Sequence, residues 1–258
     1  KPRAPGTESA GGGFDITTDT YSCEVFAMHK DVADQIRMNS DAAVDVDRSA
    51  SEFVTQQLLI QKERNWMTAY FATGIWGTDV AGSTDFTQWD DGSSDPESDV
   101  DLGRATIKKK TGLTPNTLIV GYEVHQALKK HPLITERYKH TSPQSITADL
   151  LARYFEVDRF LIAGASYTSS QEGATDVDAF IAGKHAMLCY VAPSPGLMTP
   201  SAGYTFAWSA FSGSNGGVRI KRFREERLAS DRIEGEFAYD HQVVLAECGY
   251  FLSTATSA

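Results

Sequence analysis

TPNTLIVGYEVHQALKKHPLI, residues 114–134, changes its hydrophobic pattern partway along. The first part, Thr114-Pro115-Asn116-Thr117-Leu118-Ile119-Val120-Gly121, is a short apolar run closed by glycine, as in a buried strand. Residues 122–130 read as a helix, halted at His131-Pro132 because the residue before a proline is pushed out of helical backbone. Upstream, a helix is expected from Pro96. Proline suits the first turn, Glu97, Asp99 and Asp101 sit early, and Lys108, Lys109 and Lys110 sit late, an order that complements the helix dipole. Downstream, residues 145–155 carry a helical pattern and residues 159–164 an apolar strand. Helix, strand, helix, helix, strand over residues 96–164 describes an α/β module. Residues 165–183 read as a loop around Gly173, residues 186–191 as another strand, and Pro193, Pro195, Gly196 and Pro200 end the module.

On the N-terminal side, residues 74–95 are rich in Gly, Ser, Thr and Asp, and read as a loop anchored by Trp76, Phe86 and Trp89. Before it comes the clearest helix. Asp45, Asp47 and Ser49 crowd its start, and Ser49 with Glu52 has capping-box spacing. Ala50, Phe53, Val54, Leu58, Leu59, Trp66, Tyr70 and Phe71 make one stripe, and Gly74 is the expected stop. About 25 residues at 1.5 Å each give a rod of roughly 37 Å, a spine rather than a packing helix. Residues 1–13 hold Gly11-Gly12-Gly13 and little that fixes a conformation. Residues 14–26, from Phe14 through Tyr21 to Phe26, read as an extended arm with no core of its own, or as an edge strand of a local sheet.

On the C-terminal side the composition turns to β at Tyr204. Asn215-Gly216-Gly217 signals a turn, and residues 218–227 and 232–239 form the strands of a long hairpin with its tip near 228–231. The hairpin carries Arg219, Lys221, Arg222, Arg224, Arg227 and Arg232 against Glu225, Glu226, Asp231, Glu234, Glu236 and Asp240. Balanced dense charge suits contact with copies of itself. Residues 242–252 read as a closing apolar strand.

The 258 residues allow one large domain or two interleaved ones, and 41% hydrophobic against 22% charged content supports a packed fold. A net charge of -10 argues against a protein built to grip phosphates, and Lys108 to Lys110 are explained locally at a helix end. No apolar run reaches membrane-spanning length and no signal peptide is evident. Cys23, Cys189 and Cys248 suggest neither disulfides nor zinc, and no Asn-x-Ser/Thr sequon is present, in keeping with a cytoplasmic origin. No nucleophile elbow, dinucleotide fingerprint or phosphate loop occurs; Gly183-Lys184 lacks the spacing of the last. His125, His131 and His140 match no ligand spacing, and Asp90, Asp91 and Asp95 lack the EF-hand pattern. No catalytic residue, metal ligand or cofactor is expected.

Two stretches resemble a known family. Pro115 to Gly121, then Val124 to Leu128, His131-Pro132 and Ile134, is similar to a stretch of tailed-bacteriophage major capsid proteins. Arg222-Phe223-Arg224-Glu225-Glu226, Asp231-Arg232-Ile233-Glu234-Gly235 and Gly249-Tyr250-Phe251 resemble their peripheral hairpin and last strand, and the segment from Tyr21 through Asp41 to Glu63 resembles their arm, linker and spine helix. The resemblance implies the α+β Hong Kong 97-type capsid fold. It implies an extended loop over residues 1–30, a peripheral domain over 31–74 and 203–240, and an axial domain over 75–202 and 241–258. It implies hexamers and pentamers of the chain in an icosahedral shell, assembled in the bacterial cytoplasm around double-stranded DNA bound without sequence specificity. Portal, scaffolding and decoration proteins are the further partners it suggests; no membrane and no cofactor is involved. Phe14, Tyr21, Arg222, Arg224, Glu225, Glu226, Arg227, Asp231 and Arg232 become the expected contacts between copies. By this resemblance the family's N-terminal arm, its cleaved scaffolding segment and the first strand of its extended loop are expected and not found, so either the chain is trimmed or its loop is incomplete; the Lys, Asn and Glu of the isopeptide cross-link cannot be placed, so no cross-link is expected. The alternatives are an encapsulin shell, which would hold a cargo enzyme instead of DNA, and a soluble α/β enzyme with its site near Asp90 or Gly173.

Overall fold

The computed structural model of the chain describes residues 2, 5–9, 11, 13, 18–40, 45–138, 146–168, 170, 173, 175–196, 198–212 and 217–257. The elements run β1 (Glu24–Ala33), α1 (Asp34–Asn39), α2 (Val46–Tyr70), β2 (Asp79–Ala81), α3 (Pro96–Thr111), β3 (Thr117–Gly121), α4 (Tyr122–Lys130), α5 (Pro132–Tyr138) and α6 (Ala148–Tyr154). They continue as β4 (Arg159–Ala163), β5 (Ser166–Thr168), β6 (Asp178–Phe180), β7 (Ala186–Cys189), β8 (Gly203–Ala207), α7 (Ser209–Ser212), β9 (Val218–Glu225), β10 (Ser230–Val243) and β11 (Gly249–Ser253).

The opening stretch folds as read. Every residue of β3 is buried, and α4 follows it without a break. Pro132 ends one helix and starts the next, because His131 before it is extended (ψ 131°). A five-stranded sheet has the order β2-β11-β7-β3-β4. One of its faces packs under α3 to α6 through Ile107, Leu128, Ile134, Leu151 and Phe155. The other packs under Trp76 and the end of α2 through Met67, Tyr70 and Phe71. Helix α3 is capped by the Asp95 carboxylate, which accepts from Ser98 N–H at 3.2 Å, and ends at Gly112, whose positive φ (75°) closes the last turn.

Strand β10 forms the centre of a four-stranded sheet. Antiparallel β1 lies along one edge, with β9 and β8 pairing its two ends. Helix α2 covers one face of this sheet. Val54 and Leu58 pack on Phe237 and Tyr239, and Ala50 packs on Val32 and Ile233. Gly235 lets the helix come close, since a Cβ there would lie 2.7 Å from Leu58 Cδ1. The 25-residue α2 therefore serves both sheets, its first half one and its end the other. At that end the Tyr70 hydroxyl donates between the carbonyls of Gln242 (3.0 Å) and Tyr204 (3.1 Å), and Trp76 Nε1–H donates to the Tyr70 carbonyl at 2.7 Å.

Several expectations are corrected. The cap of α2 is Asp45, which accepts from Arg48 N–H at 3.0 Å; Ser49 donates back to the Asp45 carbonyl and Glu52 pairs with Arg48, so no capping box forms. Helix α2 ends at Tyr70, before Gly74. Phe53 and Leu59 are exposed, Phe53 lying under the Lys30 ammonium. The 74–95 loop holds β2, which pairs in parallel with β11, and the 165–183 loop holds the β5–β6 hairpin. Residues 242–252 do not form one strand: β10 ends at Val243, a short 3-10 turn follows, and β11 starts at Gly249. The long hairpin turns at Glu226–Leu228 and Ala229 (φ 44°), two residues earlier than expected. Residues 24–26 of the expected arm belong to β1, paired within the chain.

Candidate inter-subunit surface

Strand alternation sorts the hairpin's charges onto two faces. On the face away from α2, Glu236 accepts from Arg219 Nε (2.7 Å) and Lys221 Nζ (2.7 Å), and Asp31 of β1 takes both nitrogens of the Arg232 fork at 2.7 and 2.9 Å. Burial tends to raise the Glu236 carboxyl, but the Arg219 and Lys221 hydrogen bonds outweigh it and hold the group below its ordinary value. On the α2 side, three arginines and three aspartates close a lattice across four elements. Arg224 donates both terminal nitrogens to Asp34 of α1, each at 2.6 Å. Arg37 reaches Asp47 at 2.7 Å and Asp231 at 2.9 Å. Arg222 reaches Asp231 at 2.7 Å and Asp47 at 3.0 Å. The hydrogen bond from Arg222, then that from Arg37, holds the Asp231 carboxyl down to about 2.

Four expected contact residues, Arg222, Arg224, Asp231 and Arg232, thus have ionic partners inside their own chain. The tip is different. The Glu226 side chain is 85% exposed with only a 3.7 Å approach to Arg224, and the side chains of Glu225 and Arg227 make no hydrogen bond or ion pair among the described residues. Leu228 is exposed at the tip, and Phe223 and Ile220 are exposed further along β9. The Tyr21 ring stacks on Phe206 with centroids 4.1 Å apart and stays 56% exposed. Phe14 lies outside the described residues, as do Lys1, Asp41, His140, Asn215 and Gly216. Sequence reasoning did not find Asp34, Arg37 and Asp47. Their only local signal is the i,i+3 spacing of Asp34 and Arg37, because the arginines they meet lie far along the chain.

In the loop around Asp90, proposed for an enzyme site, the acids hold backbone in place. Asp91 accepts from Ser93, Asp95 caps α3, and Asp90 accepts from Ser257 N–H at 3.1 Å. Asp90 and Asp91 border an open polar depression of about 670 Å³. Ser94 Oγ donates to the Asp91 carbonyl at 2.7 Å and lies 3.0 Å from His131 Nε2, a buried pair that ties this loop to α5. Among the described residues no group of three or more His, Cys, Asp or Glu could hold a metal ion, and no helix is long and apolar enough to cross a membrane.

No family model matches the sequence. Over 205 residues the chain is 26% identical to the major capsid protein of Burkholderia phage BcepMu, covering 75% of this chain. The chain spans 62% of the length of that curated relative. A phage-related protein of Bordetella bronchiseptica RB50 superposes with a TM-score of 0.71 at 24% identity, over 91% of this chain and 77% of that one. The capsid of cyanophage P-SCSP1u matches with a TM-score of 0.55 at 13% identity, over 98% and 81%. The architecture is the mixed α/β Hong Kong 97-type capsid fold.

Proposed function

We propose that this chain is the major capsid protein of a tailed double-stranded DNA bacteriophage, a structural shell protein rather than an enzyme. Its sequence match to the phage BcepMu major capsid protein carries this reading. That match also favours a phage head over an encapsulin, which the fold alone does not separate. Copies associate as hexamers and pentamers into an icosahedral shell that encloses the genome without reading its sequence. Assembly takes place in the host cytoplasm, with portal, scaffolding and decoration proteins as further partners. A net charge of -10 suits a container that must later release its DNA.

The division into an extended loop (1–30), a peripheral domain (31–74 and 203–240) and an axial domain (75–202 and 241–258) is supported by separate apolar clusters under the two sheets. The boundary at residue 30 falls inside β1. For the contacts, Glu225, Glu226 and Arg227 meet neighbouring copies at the tip. Arg222, Arg224, Asp231 and Arg232 hold the tip's shape from behind, and Phe14 and Tyr21 belong to the loop that lies on a neighbour. Repetition around a shell makes modest single contacts sufficient.

The test is negative-stain electron microscopy of the purified protein with its light-scattering mass. Closed shells, or rings of five and six, are expected. Nucleic acid inside supports the phage reading and a co-purifying enzyme the encapsulin one. A monomer that no concentration, salt or scaffold condition assembles overturns both.

A further inference from the structure

Helix α1 is six residues long, and none of them is buried. Ile36 is 58% exposed and Met38 84%, so its apolar side chains face solvent. Its first residue has no side-chain cap. What ties it down is the Asp34 N–H, which donates to the Ala229 carbonyl at 3.1 Å, and the lattice of charges. From α1 come Asp34 and Arg37, from α2 Asp47, from β9 Arg222 and Arg224, from the tip Glu226, and from β10 Asp231. Nearby Arg48 pairs with Glu52, and Arg232 with Asp31, outside the lattice. The side chains of Asp34, Arg37 and Arg224 remain between 31% and 36% exposed. The strands beneath differ: β10 is held by backbone ladders on both edges and by buried Ile233 and Phe237.

We propose that α1 is a detachable strap. Charge holds it to the hairpin, it leaves while both sheets stay folded, and its departure frees Arg224 from Asp34. Half-exposed ion pairs are weak singly and are screened by salt, whereas ladders and apolar burial are not. A strap held in this way opens at an ionic strength that leaves the subunit intact. The inference concerns one chain and does not depend on the shell reading.

Hydrogen–deuterium exchange of the full chain tests it, in about 20 mM and about 1 M sodium chloride, where the screening length shrinks from beyond 20 Å to roughly 3 Å. Light scattering verifies that the assembly state is the same in both, and an unstructured peptide of residues 32–40 corrects for the salt's effect on intrinsic exchange. In high salt, exchange over residues 34–40 is expected to rise about tenfold or more, while residues 233–239 stay within about twofold. Asp34→Asn is expected to reproduce that rise in low salt. Ile36→Gln, which alters only an exposed apolar group, is expected to leave it unchanged. The strap is overturned if residues 34–40 are indifferent to salt, if they open only together with residues 233–239, or if Ile36→Gln loosens them as much as Asp34→Asn.

Discussion

The two main sheets of this chain are held in different ways. The five-stranded sheet is covered on both faces at its centre, and every residue of β3, β7 and β11 is buried. The four-stranded sheet has α2 on one face. On the other it carries a ladder of charge, with Glu236 under Arg219 and Lys221 and with Asp31 against Arg232. Apolar burial is non-directional and is not screened by salt, while paired charges fix register and angle but contribute less to stability. A one-sided sheet can therefore keep a defined shape while resting on fewer apolar contacts. The two regions also differ in how they answer to acid. Burial lowers the pKa of His125 and His185 in the five-stranded region and of His241 in the four-stranded one; what sets the latter apart is its aspartates, such as Asp231, which arginines hold below their ordinary value.

The largest test of this contrast is Leu188→Ala in β7. Leu188 is fully buried, and its truncation should cost about 3 kcal/mol in urea unfolding. A loss below about 1 kcal/mol would mean that the two-sided core is not what holds that region. Gly235→Val probes the one-sided sheet. Its Cβ would lie 2.7 Å from Leu58 and 2.8 Å from Val54, so the helix must shift, at about 1–3 kcal/mol. An unchanged variant would show that α2 rides loosely on its sheet.

Third comes pH. His125 makes no hydrogen bond through either ring nitrogen, and burial, then Lys129, lowers its pKa below 6.5. The unfolded chain takes up the proton first, so stability falls as pH drops through 6.5 and levels off below the folded value. His125→Leu should flatten that part of the stability–pH curve; an unaltered slope would assign it to other groups. Asp231→Asn should act elsewhere on the curve. The contribution of Asp231 is present above the ordinary carboxylate value of 3.8 and is lost as pH falls through about 2. The variant should have a modestly lower urea midpoint at neutral pH, and the two curves should converge only in strong acid. Convergence already near neutral pH would show that the lattice contributes nothing. The smallest effect belongs to Leu59→Ala, 53% exposed on α2, which should change stability by less than about 0.5 kcal/mol.

What could be read from the sequence was what local chemistry decides. Pro96 with the charge order of α3, the β3–α4 junction and the alternation of the long hairpin all act over a few residues, and all appear in the fold. Strand β2 was not legible because three residues in a polar loop become a strand only when β11, far along the chain, lies beside them. The capping box at Ser49 lost to Asp45, which meets the first free N–H groups. Phe53 and Leu59 fit the helical stripe, but the sheet beneath α2 is too narrow to cover them. At the hairpin, the charge balance was visible and the pairing was not. Six against six described the hairpin alone, while further partners, Asp31, Asp34, Arg37 and Asp47, came from elements that the count left out.

Tyr70 turns this arrangement into a mechanical statement. The chain passes between its two sheets at the end of α2, before β8 and after β10, and the Tyr70 hydroxyl touches the backbone of the latter two crossings from the first. The hydroxyl is buried, which pushes its pKa up to about 12, so the rivet keeps its proton at any ordinary pH. Torque between the two sheets loads this point together with the apolar packing around it, with α2 as the lever and the Tyr204 and Gln242 carbonyls as the bearing. A bend between the sheets would stretch these two hydrogen bonds, and it would do so in a side chain that is only 3% exposed.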